Sequence, residues 1–138
     1  MSQLTRQNAA VLLAIVALTG CARYQTSSDA LQRRDVIGKY VANHGKGLDL
    51  IDVRQDGTYA YTYRPSTGGE ELRNTGSWSL HYDDGKARIT FHDFVFGWRE
   101  YGGPMPGYWD VEVERSLGKL RLCLDPDLNY YYVRQGGR

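Results

Sequence analysis

From Val36 onward, apolar and polar residues alternate in short runs broken by turn-forming residues, the two-residue period of half-buried strands. The clearest run is 58–64, where Tyr59, Tyr61 and Tyr63 share one face and Thr58, Ala60 and Thr62 share the other. The same pattern predicts strands over 36–41, 48–54, 73–81, 86–96, 108–115, 119–124 and 129–133. Gln55-Asp56-Gly57, Asp83-Asp84-Gly85 and Leu117-Gly118 provide tight turns, because glycine accepts the positive φ such turns need. Eight short strands, hairpin-length connections and no convincing helix predict an all-β domain, a single antiparallel eight-stranded meander. Closing the meander into a small barrel removes its exposed edges. A two-sheet β-sandwich is the alternative.

The first twenty residues obey another pattern. A short stretch whose one charged side chain is Arg6 precedes a continuous apolar run from Ala9 to Leu18. That run has the length of a signal-peptide core and falls short of the roughly 20 residues needed to span a bilayer. It closes on Leu18-Thr19-Gly20-Cys21, which resembles the lipobox of bacterial prolipoproteins. The resemblance implies diacylglycerol on the Cys21 thiol, cleavage just before it, and membrane attachment through that lipid. Several acyl chains anchor firmly where one is marginal. Ala22 follows the cysteine in place of the aspartate that retains such proteins in the inner membrane, so in a Gram-negative source the resemblance implies the outer membrane.

The domain boundaries follow: a signal peptide over 1–20, lipidated Cys21 with a polar tether over 21–35, a barrel over 36–134 and a frayed tail over 135–138. With Cys21 acylated, Cys123 has no partner in the chain and reads as a small, partly buried apolar residue.

Composition narrows the function classes. Aromatic residues make up 12% of the chain, 11 of them tyrosine, which excludes a disordered chain and favours β-structure. Removal of Arg6 with the leader leaves 16 basic side chains against 16 acidic ones. That balance argues against nucleic acid as a partner.

Gly38-Lys39-Tyr40, Asp56-Gly57-Thr58-Tyr59 and Gly76-Ser77-Trp78 are similar to the small lipocalin-like domains of bacterial secreted proteins, over most of residues 36–96. The resemblance implies a barrel with an apolar ligand cavity, which Tyr59, Tyr61, Tyr63 and Trp78 would line. The chain departs from that pattern at Tyr40, where lipocalins usually place tryptophan.

No motif carries a reaction. The three histidines, His44, His81 and His92, lack the short fixed spacing of a metal site, although His81 with Asp83 and Asp84, or His92 with Asp93, supplies ligand types. Adjacent His92 and Asp93 on a strand are expected on opposite faces. No Gly-x-Ser-x-Gly elbow, Cys/His arrangement or Gly-rich phosphate loop is present. Asp110, Glu112 and Glu114 alternate with apolar residues as a solvated strand face does. No catalytic residue, metal or cofactor is assigned, and an enzyme ranks last among the function classes.

The segment 97–109 stands out: a long connection between two strands, rich in the residue types of binding hot spots. Trp98, Arg99, Tyr101, Met105, Tyr108 and Trp109 are its candidate partner-binding residues, unless the aromatic ones fold down to cap the barrel. The leading expectation is a non-catalytic, envelope-anchored binding module for a protein or envelope partner, an inhibitor or immunity-type protein being one form. A carrier of a small apolar ligand comes second.

Overall fold

The computed structural model describes residues 30–97 and 105–136. The expected signal peptide over 1–20 and Cys21 lie outside the described residues, as do Trp98, Arg99 and Tyr101.

Eight strands form one closed antiparallel barrel in chain order. They are β1 (Gly38–Ala42), β2 (Gly47–Val53), β3 (Thr58–Pro65), β4 (Leu72–Asp83), β5 (Lys86–Phe94), β6 (Gly107–Ser116), β7 (Lys119–Asp125) and β8 (Tyr130–Arg134). Tyr40, Val41 and Ala42 of β1 pair with Arg134, Val133 and Tyr132 of β8, which closes the sheet and excludes the sandwich. Strands make up 63% of the described residues.

Alternation decides what enters the barrel. Tyr59, Tyr61 and Tyr63 of β3 are all buried, as are Ile51 and Val53 of β2, Ile89 and Phe91 of β5, and Leu120 and Leu122 of β7. The outward positions carry cross-strand ion pairs: Arg88 with Asp110 at 2.6 Å, Lys86 with Glu112 at 3.0 Å and Arg121 with Glu114 at 2.7 Å. Asp110, Glu112 and Glu114 thus belong to a charge-paired outer face.

The connections divide between two ends. The lower end carries the β2–β3, β4–β5 and β6–β7 turns, and the upper end carries the other connections. A short 3-10 turn, η1 (Arg33–Val36), stoppers the lower end. Its Val36 is fully buried and its carbonyl accepts the Tyr40 hydroxyl at 2.7 Å. The Arg33 guanidinium lies 4.4 Å above the ring of Trp78, whose indole N–H donates to the Arg54 carbonyl at 2.9 Å. Residues 31–35, assigned above to the tether, therefore lie against the barrel: Leu31 packs on the core, and its carbonyl accepts the Tyr82 hydroxyl at 2.6 Å. Short-range pattern cannot register such docking, because the contacts are made to β4, some fifty residues on.

One strand departs from simple alternation. The β5–β6 register shifts between Phe91 and Phe94, and Asp93 adopts φ 58°. This bulge keeps both Phe91 and Phe94 buried and leaves His92 and Asp93 together on the outer side. The expectation of opposite faces is corrected accordingly. The Tyr59 hydroxyl reaches from inside to the His92 carbonyl at 2.9 Å and to Asn74 Oδ1 at 2.9 Å, fixing the bulge.

Candidate functional site

The upper end holds both the long connection and the most unusual chemistry of the interior. Alternation in β2 that buries Ile51 and Val53 also points residue 49 inward, and residue 49 is an aspartate, 1% exposed. Its Oδ2 lies 2.8 Å from His44 Nε2 and its Oδ1 accepts the Tyr132 hydroxyl at 2.6 Å. The Tyr61 hydroxyl stands near the same carboxylate. His44 Nδ1 accepts the backbone N–H of Lys46 at 2.9 Å, so the ring proton sits on Nε2 and is donated to Asp49. Burial pushes the Asp49 carboxyl above its ordinary range, and the bonds from Tyr132 and His44 oppose that rise. Burial also raises the Tyr61 and Tyr132 hydroxyls, which therefore act as donors and not as phenolates.

This network is built to hold shape. With Nδ1 engaged by a backbone N–H, the imidazole keeps no lone pair with which to take a proton from a substrate. An inward acid on a strand whose other inward positions are Ile51 and Val53 was the one signal in the sequence, and the reading above did not use it.

The network continues into the long connection. Gly97 N–H donates to the Tyr61 hydroxyl at 3.1 Å, and Val95 N–H donates to Asn74 Oδ1 at 3.2 Å. Gly97 also rests on the Tyr63 ring so closely that a Cβ there would stand 2.3 Å from a ring carbon. Gly97→Ala is therefore expected to displace the root of the connection and to cost about 1–3 kcal/mol, as overpacking does. Chemical denaturation checks this, and an unchanged midpoint would show that the seat is loose.

The described residues of the connection divide sharply. Met105 and Tyr108 are each 81% exposed. Trp109 instead turns onto the core, stacked on Phe91 at 5.5 Å and within 5.0 Å of Phe94 and 5.7 Å of Tyr132. Trp109 is half-buried, its ring capping the aromatic core instead of standing in solvent beside Tyr108. Phe96 completes the cap, 4.8 Å from Phe94 and 4.9 Å from Trp109.

Tyr59, Tyr61, Tyr63 and Trp78, the expected ligand lining, all face inward and are packed as core. Tyr59 meets Phe91 at 5.2 Å and Tyr61 meets Phe94 at 4.7 Å, so aromatic rings occupy the space a ligand would need.

The remaining candidates are dispersed. His81 stands 3.5 Å from Asp110 on the outer face. Among the described residues no group of three or more His, Cys, Asp or Glu is placed to hold a metal ion. Cys123 is half-buried beside the core, and burial raises its thiol, which blunts it as a nucleophile. Comparison with protein-family models, with curated proteins and with solved structures finds no match for this chain.

Proposed function

We propose that this chain is an envelope lipoprotein, anchored through acylated Cys21, whose barrel presents the 97–109 connection to a protein or envelope partner. In a Gram-negative source the anchor lies in the outer membrane. The observation that carries the reading is the contrast at the upper end. The root of the connection is fixed by Tyr61, Tyr63 and Asn74, while Met105 and Tyr108 stand in solvent. A rigid base under exposed apolar and aromatic side chains lowers the ordering cost of binding. The ion-paired outer face and the committed imidazole favour recognition over catalysis. The filled interior weighs against a lipid carrier.

Site-specific photocrosslinking in cells tests this. A benzophenone side chain at Tyr108 should give a discrete adduct that the same group at Asp84, on the lower end, does not give. Trp98→Ala with Arg99→Ala should abolish that adduct while leaving the barrel folded. Equal labelling from both positions, or an adduct indifferent to Trp98 and Arg99, would contradict the proposal.

A further inference from the structure

Two hairpin turns of this barrel share one geometry and differ in one residue. The β4–β5 turn places Asp84 at φ 48° and Gly85 at φ 74°. The β6–β7 turn places Leu117 at φ 49° and Gly118 at φ 76°. The left-handed conformation suits Asp, Asn or Gly at the first of these positions and is strained for leucine. Leu117 accepts that strain while fully exposed, so it gains no burial in return. A strained and exposed apolar tip points to something that covers it.

The surroundings say what. Arg115 and Lys119 flank the tip, both exposed, and among the described residues neither has a carboxylate within ion-pair distance. With Asp35 and Arg134 they line one groove at the lower end. Exposed Lys39 lies on the neighbouring β1. Glu114 pairs with Arg121 and Asp52, opposite Lys39, pairs with Arg54, which leaves the Asp35 carboxylate as the one acid in a groove with Arg115, Lys119 and Arg134. Asp83 and Asp84 sit at the β4–β5 turn and Asp56 at the β2–β3 turn. The basic excess is thus gathered around one leucine.

The geometry points to contact between this edge and an anionic phospholipid surface, Leu117 entering the interface while Arg115, Lys119 and Arg134 meet headgroup phosphates. An apolar tip ringed by cations is the chemistry of an interfacial anchor. The chain enters the barrel at the same end, where the Leu31 carbonyl meets Tyr82. From residue 30 back to Cys21 the chain spans at most about 30 Å when extended, so a lipid on Cys21 holds this end near the bilayer. That last step rests on the acylation reading. The turn chemistry does not.

The test uses the full chain in native membranes with a diazirine amino acid at position 117 or, as control, at 105. Phospholipid adducts at 117, richest in anionic headgroups and absent at 105, are expected, with loss of the adducts in the Arg115→Gln/Lys119→Gln variant. Leu117→Asn should raise the thermal midpoint, because asparagine suits the turn. Adducts to protein alone at 117, equal lipid labelling at 117 and 105, or destabilisation by Leu117→Asn would overturn the inference. The N-terminal peptide of the same sample reports acylation separately. An acylated chain without adducts at 117 sinks only this inference; adducts on an unacylated chain sink only the lipid anchor.

Discussion

Asp49→Ala is expected to destabilise the barrel by about 2–6 kcal/mol, roughly 1–3 kcal/mol for each buried donor left without its acceptor. The substitution deletes an acceptor that two buried groups share: His44 Nε2–H and the Tyr132 hydroxyl. Both donors are buried, so each is left with an unmet bond. Tyr132→Phe removes one donor and leaves the His44 bond in place, and should cost less. Urea denaturation measures both. A loss below about 1 kcal/mol for Asp49→Ala would mean that the mouth of the barrel opens to water readily.

The same group makes a pH-dependent prediction. Burial holds the folded Asp49 carboxyl above its ordinary value, so the folded state binds that proton more tightly than the unfolded chain does. Its charged form therefore costs stability at neutral pH. Acidification towards the raised folded value should recover that cost, and the recovery should level off near pH 4, where the unfolded carboxyl protonates too. Relative to Asp49→Asn, the native chain should gain stability as the pH falls below the raised folded value towards about 4. A stability difference that is flat with pH would show that the carboxyl is not raised.

The second large effect concerns Cys21. Cys21→Ser is expected to abolish acylation and leave the leader uncleaved, because the lipid-dependent cleavage that the lipobox resemblance implies needs the thioether first. Cells fed an alkyne-bearing fatty acid should label the native chain and not the variant. The variant should migrate as the longer precursor. Labelling that survives the substitution would place the lipid elsewhere or remove it from the account.

The strands were legible because two independent signals coincide in this chain. Side-chain alternation, as in Tyr59/Tyr61/Tyr63, marks the faces, and pairs such as Asp84-Gly85 mark the reversals. The eight predicted strands and the observed ones differ by at most two residues at either end. What stayed hidden depends on contacts distant in sequence. Asp49 and Tyr132 meet across 83 positions. Trp109 was read with its loop because its sequence neighbours are glycine, proline and tyrosine, but in the barrel its nearest partners are Phe91, Phe94 and Phe96. The bulge at His92 and Asp93 was invisible for a similar reason: Asn74 and Tyr59, which brace it, come from other strands. Of the candidate partner-binding residues, Met105 and Tyr108 stand where a partner can reach them, and Trp98, Arg99 and Tyr101 lie outside the described residues.

The central proposal is a barrel held at a membrane by its own first mature residue. The mass of the chain extracted from native membranes, with its N-terminal peptide sequenced, tests that most directly. The account predicts a chain beginning at Cys21 and carrying a diacylglycerol thioether. A chain that begins at Met1, or one that begins elsewhere with an unmodified N-terminus, would contradict it.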